Sequence, residues 1–185
     1  MFTLIMSGLL WQKDDLKHLE AIMQPKFVHL PEMKMVGLGT KFISAQSPDK
    51  NNMKTIPALW GQFISQMSRI ANRTGDACYG LVEGLPEGAG KSHPDEMFYI
   101  ACAEVSKIDS MPSDMIQRVV PAGKYASFTH KGKLDGLEQT MTYIYRSWLP
   151  KSGVELRKTP HLELYDQRFV PGSDKSEFNI LLPIQ

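Results

Sequence analysis

No run of 18 consecutive apolar residues occurs in the 185-residue sequence, so no membrane-spanning helix is expected. The apolar start, Met1 to Met6, passes through Gly8-Leu9-Leu10-Trp11 straight into Gln12-Lys13-Asp14-Asp15. It lacks the leading positive charge, the longer apolar stretch and the small-residue cleavage site of an export signal, and a cytoplasmic location is expected. Cysteine is scarce. Cys78 and Cys102 form no Cys-x-x-Cys pair, which argues against a disulfide framework and reads as two buried thiols. His93, His130 and His161 are dispersed, and no His/Cys cluster has metal-ligand spacing, so neither metal nor cofactor is expected. Charge of one sign is also lacking. Lys plus Arg is 21 against 20 for Asp plus Glu, and no basic run of five or six residues appears. A chain that gripped DNA by its phosphates would show a basic face, so direct DNA binding is not expected. A phosphate loop is missing too: Gly90-Lys91-Ser92 matches the end of that motif, but position 85 is Leu85 and Gly84 comes one residue early.

What remains is the composition of a folded domain, 42% hydrophobic and 22% charged, with 11 methionines. Residues 1–22 hold a short amphipathic stretch closed by Pro25 and read as an N-terminal extension. A strand-like run from Lys26 to Ile43 contains Leu30-Pro31 and the paired Gly37 and Gly39, which suggest a bend or bulge. Thr55 is placed to cap a helix, with Pro57 in its first turn; Ile56, Leu59, Trp60, Phe63, Met67 and Ile70 then follow the helical period. Two strands follow, Ala77 to Val82 and Met97 to Val105, around a Gly- and Pro-rich loop. The order recurs. Met115 to His130 is strand-like, Asp135-x-x-Glu138 resembles a capping box, and Leu134, Leu137, Met141, Ile144, Tyr145 and Trp148 form a second stripe. Leu162 to Tyr165 and Glu177 to Ile184 close the chain as strands. Leu30-Pro31 faces Val120-Pro121, and Glu96 faces Glu177. The expected fold is therefore α+β: a duplicated β-α-β-β unit, with pseudo-repeats 23–108 and 113–185, building an eight-stranded antiparallel sheet with two helices on one face and a groove between the halves.

Val120-Pro121-Ala122-Gly123-Lys124-Tyr125, Tyr143-Ile144-Tyr145-Arg146-Ser147-Trp148, Leu162-Glu163-Leu164-Tyr165-Asp166 and the strand from Glu177 to Ile184 together resemble the effector-binding domain of AraC-type and MerR-type regulators, the GyrI-like family. The resemblance covers residues 23–185. It implies a lipophilic, cationic, drug-like ligand held between the halves against buried glutamates and aromatic rings, with a link to transcription regulation or drug response. Only 22 residues precede the domain, too few for a helix-turn-helix module. A stand-alone sensing domain of the kind carried on integron gene cassettes is therefore implied, with a second copy or a separate regulator left open as partner.

Strand alternation puts His161, Glu163 and Tyr165 on one face and the leucines on the other. A carboxylate among rings suits a cation, because the rings add cation–π attraction. Glu163 matches the glutamate through which the family contacts cations. Glu177 matches a second acidic position, for which ion pairing within the fold is a rival reading; Glu96 reads as a solvated strand residue. Trp60, Phe63, Tyr145 and Tyr99 complete the candidate ligand-binding set, though rings at helical spacing serve equally as core. No catalytic residue is assigned. The alternatives are a hydrolase of electrophilic small molecules, with Glu163 as base and Tyr145 as donor, and a gyrase-inhibitor-like interaction protein.

Overall fold

The computed structural model describes residues 23–45, 47–85 and 87–185. The helical stretch read in residues 1–22 lies outside them. Eight strands form one antiparallel sheet: β1 (Lys26–Leu30), β2 (Met33–Ile43), β3 (Arg73–Glu83), β4 (Glu96–Val105), β5 (Ile116–Val120), β6 (Gly123–Lys131), β7 (His161–Tyr165) and β8 (Glu177–Ile184). Their order across the sheet is β1-β6-β8-β7-β3-β4-β2-β5. Pro31 and Pro121 break the two long strand-like runs at equivalent points, because proline cannot donate to a continuing ladder. As a result β1 pairs with β6 of the other repeat, and β5 pairs with β2. The sheet curls into a half-barrel, since each of these links carries the chain from one end of the sheet to the other.

Helix α1 (Asn52–Gln66) starts a turn before Thr55. Asn51 precedes it but does not cap it; its Oδ1 accepts instead from the Ile43 N–H at 2.8 Å, which fastens the helix start to the end of β2. Pro57 consequently falls inside the helix rather than in its first turn. The second helix is not one regular rod. A 3₁₀ turn at Leu134–Gly136 leads into α2 (Leu137–Thr142), a π-helical stretch (Tyr143–Trp148) and α3 (Leu149–Ser152), ended by Gly153 at φ 69°. The expected capping box does not form, as no side chain caps the 3₁₀ start. The wider π turn brings Tyr143, which is off the 3.6-residue stripe, fully into the core, while Leu134 is left exposed.

Both helices cover the same face. Register carries that face across the sheet: Gly80 lies opposite Ala101 on one side and Glu163 on the other, and Glu163 lies opposite Ile180. Leu59 and Phe63 of α1 pack on Leu38, Tyr99 and Ala101, and the second helix packs on Phe128, Phe178 and Ile180. The opposite face closes on itself around Met35, Leu81, Ile100, Tyr125, Leu162 and Leu181. Cys78 and Cys102 are buried free thiols. Gly37 and Gly39 sit in an unbroken strand rather than a bulge; they are there because β4 comes close. A Cβ on Gly37 would lie 2.0 Å from the Ala101 carbonyl oxygen. The irregularity falls in β3, between Arg73 and Cys78.

The register also corrects one detail of the repeat. Leu38 opposite Ala101 corresponds to Phe128 opposite Ile180, so Glu177, which faces Lys131, corresponds to Phe98, which faces Lys41. Glu96 is thus not its counterpart. Nor is Glu96 solvated: it is buried, accepts from the Ser92 N–H (2.9 Å) and hydroxyl (2.7 Å), and ties down the β3–β4 loop.

Gly37→Ala is expected to lower the urea midpoint at unchanged slope, by about 1–3 kcal/mol of overpacking cost, in equilibrium denaturation followed by circular dichroism.

Candidate functional site

The middle of the sheet is the ladder between β3 and β7, where the two repeats meet. Glu163 stands there on the helix-covered face, because Leu162 and Leu164 are held in the core behind it. It is 9% exposed. No basic group pairs with it among the described residues. Two phenols hold it instead: the Tyr99 hydroxyl donates to Oε2 at 2.5 Å and the Tyr165 hydroxyl to the same oxygen at 2.9 Å. Trp60 of α1 continues the chain, its Nε1–H donating to the Tyr99 oxygen at 3.0 Å. Gly80, directly across the ladder, leaves the room for this; a Cβ there would meet the Tyr99 oxygen at 2.0 Å and Oε2 at 2.7 Å.

Rings surround the carboxylate. Trp60 packs edge-on against Tyr165 at 5.1 Å and Phe63 at 5.7 Å between centroids. Tyr165 also stacks on Phe178 at 4.7 Å. On the flank nearer the second helix, Tyr145 hydrogen-bonds His161 Nδ1, their rings almost parallel. Glu163 and Tyr99 are buried, whereas Trp60, Tyr165, Tyr145 and His161 around them are only half-buried.

Burial dominates the electrostatics. Loss of water pushes the Glu163 carboxyl above its ordinary value, against the pull of the two phenol hydrogen bonds. Burial, then the nearby Glu163 charge, hold Tyr99, Tyr165 and Tyr145 above their ordinary values, so all three stay protonated donors. Burial lowers His161 to about 4, which leaves it neutral.

Of the candidate residues read from the sequence, the structure brings Glu163, Tyr99 and Trp60 into direct bonding, with Phe63 packed behind Trp60 and Tyr145 on the flank. Glu177 stands apart. It is half-buried at the start of β8, beside Lys131 at 3.3 Å and Arg168 at 3.8 Å, which is the ion-paired alternative. Sequence reasoning passed over Tyr165 and His161 as site residues, although alternation had put both on the face of Glu163. It had no signal for Gly80, whose role depends on strand pairing. An open hollow of about 480 Å³ lies on the other flank of α1, lined by Gly39, Thr40, Asn51, Lys54, Thr55 and Gln62 among others. It contains no carboxylate and one lysine, and it shares no residue with the Glu163 cluster.

A family model for the GyrI-like small molecule binding domain matches residues 23–185. The chain belongs to that family. It is 31% identical over 164 residues to the transcriptional regulator BrlR of Pseudomonas aeruginosa, a match covering 88% of this chain and 56% of BrlR. It is 34% identical over 73 residues to the probable transcriptional regulator YgiV of Escherichia coli, covering 39% of this chain and 46% of that protein. The chain thus spans about half the length of the curated relatives it matches. Among solved structures, SAV2435 bound to tetraphenylphosphonium superposes with a TM-score of 0.68 at 16% identity, over 88% of this chain and 94% of that one. The EcmrR C-terminal domain gives 0.61 at 21% identity over 89% and 98%. An integron cassette protein of Vibrio cholerae gives 0.56 at 13% identity over 88% and 96%. These likenesses establish the fold. Among the described residues no helix is long and apolar enough to cross a membrane.

The raised Glu163 pKa has a definite sign for stability. The folded state holds this proton more tightly than the unfolded chain, so stability falls as pH rises from the ordinary value of 4.5 through the folded-state value. Glu163→Gln keeps an oxygen to accept from both phenols and removes the buried charge. In thermal melts across pH, the ligand-free variant is expected to match wild type near pH 4 and to melt higher near pH 8; a constant difference would contradict the assignment.

Proposed function

We propose that this small-molecule-binding domain takes a lipophilic cation in the cleft over β3 and β7, with Glu163 offsetting the charge and the rims of Trp60, Tyr165 and Tyr145 enclosing the apolar part. One observation carries the reading: a buried carboxylate, with no basic partner among the described residues, ringed by aromatics. A cation entering an apolar cleft loses its hydration, and only a nearby negative charge offsets that loss. The ring faces add attraction for the same charge. The tetraphenylphosphonium bound by SAV2435, which has the same fold, supports the choice of ligand class. Trp60 lies against Tyr165 in this structure, so a bulky guest must part the two rings. The regulators among the relatives support a role in which the bound compound is reported to transcription, by DNA-reading parts that the described residues do not supply.

Isothermal titration with tetraphenylphosphonium and with neutral triphenylphosphine oxide tests this. Glu163→Gln is expected to weaken cation binding by roughly 2–5 kcal/mol, the cost of removing one partner of a desolvated charge pair, and to leave the neutral compound nearly unaffected. Equal losses for both compounds would remove the charge role. Glu177→Gln is expected to change neither.

The titration should also depend on pH. A protonated Glu163 offers no charge, so affinity for this permanent cation is expected to rise with pH above 4.5 in wild type and to stay flat in Glu163→Gln.

A further inference from the structure

We propose that residues 14–22, which lie outside the described residues, seat within their own chain in a hollow at the C-terminal end of the second helix, and that Leu16, Leu19 and Ile22 fill it.

The two repeats exchange their leading strands, and each exchange brings a methionine onto the helix of the other repeat. Met115, directly ahead of β5, is buried in the core cluster of Leu59 and Phe63 at the first helix. Met23, ahead of β1, is buried in the cluster of Tyr143 and Ile144 at the second. At the first helix, the chain that precedes the methionine closes over the helix end. Ile108 packs on the same core, and Asn72 donates to Asp109 at 2.8 Å. Arg69, in the 3₁₀ turn that follows α1, clasps Asp114 through two hydrogen bonds of 2.8 Å.

The equivalent place on the second helix is a hollow of about 350 Å³, lined by Gln24, Tyr143, Trp148, Lys151 and Ser152. Gln24 stands on its wall, so the chain ahead of Met23 begins at the hollow itself. That chain brings an apolar stripe: Leu16, Leu19, Ile22 and Met23 recur at helical spacing. Met23, the last of the stripe, already shares a core cluster with Tyr143. Asp14, Asp15 and Glu20 accompany the stripe, and Lys151 gives the hollow a basic wall. The tether favours this occupant over a second copy. With only a few residues between Gln24 and the leucines, the segment is held at an effective concentration on the order of millimolar. Tyr143 and Trp148 also bound the π-helical stretch. The seated segment therefore rests on the turn that carries Tyr145 to His161, beside the Glu163 cluster.

Disulfide capture in the full-length chain tests the seat. Ser152→Cys is combined in turn with Leu16→Cys, Leu19→Cys, Lys17→Cys and Glu20→Cys. Each pair is oxidised at low protein concentration, and the products are resolved by non-reducing electrophoresis and mass spectrometry; the native Cys78 and Cys102 are buried. A seated stripe turns the leucine positions toward the hollow and the two charged positions away from it. At least one leucine position is therefore expected to close an intramolecular bridge on the order of tenfold faster than either charged position. A loose tether would close all four pairs at similar rates, and that result overturns the proposal. So does the absence of any bridge, and so do bridges that are mainly intermolecular, which would make a second copy the occupant. Leu16→Ser combined with Leu19→Ser gives an independent reading. The thermal midpoint of this full-length variant is expected to fall by several degrees, because two buried leucines are lost from the hollow. An unchanged midpoint likewise overturns the seat.

Discussion

A carboxylate withdrawn from water without a basic partner is costly, and a fold that contains one must hold it there by force of packing. In this chain the force comes from the other side of the sheet. Leu162 is fully buried and Leu164 packs beside it, so strand alternation leaves Glu163 no choice of face. Slipping β7 by one residue would expose the leucines. The apolar core of the half-barrel therefore fixes the acid under the helices, and the rest of the site follows from that constraint. Tyr99 and Tyr165 supply the two hydrogen bonds, Gly80 makes room for one of them, and Trp60 joins α1 to the arrangement through Tyr99.

The fold is close to symmetric and the site is not. Duplication explains the paired proline breaks, the exchange of β1 and β5 between repeats and the two helices on one face. The Glu163 cluster is built from the departures from symmetry. Glycine faces glutamate at the axis, and a regular first helix faces a second that widens into a π-helical stretch. That stretch carries Tyr143 into the core while leaving Tyr145 beside His161, a shift in angular position that a regular helix would not give. The strained element of this protein is electrostatic, a carboxyl that packing holds away from water.

Other acids show the contrast. Glu96 is also buried, but Ser92 and Lys41 surround it and lower its pKa, and its task is to fasten a loop. Glu177 lies beside Lys131 and Arg168. Arg168 in turn binds Asp166 and Asn179, which braces the turn from β7 to β8. Among the described residues, Glu163 is the one of these three acids bonded solely to neutral groups.

The sequence by itself determined the element order, the duplication and the faces of the strands, because hydrophobic periodicity and proline breaks are local properties. It placed Glu163 with Tyr165 and His161 on one face for the same reason. Helix starts were less legible: Asn51 resembles a cap but is used elsewhere, and the Asp135 to Glu138 pattern caps nothing, since tertiary contacts at both ends outweighed local preference. The partners of the acid lay beyond the sequence altogether. Tyr99 reaches Glu163 from 64 positions away along the chain, and Glu177, which looked equivalent by its surroundings in the chain, was drawn to basic side chains instead. Gly80 is the limiting case. A glycine in a strand carries no pattern, and only the register of β3 against β7, set by packing on both faces of the sheet, decided that it would stand opposite the buried carboxylate.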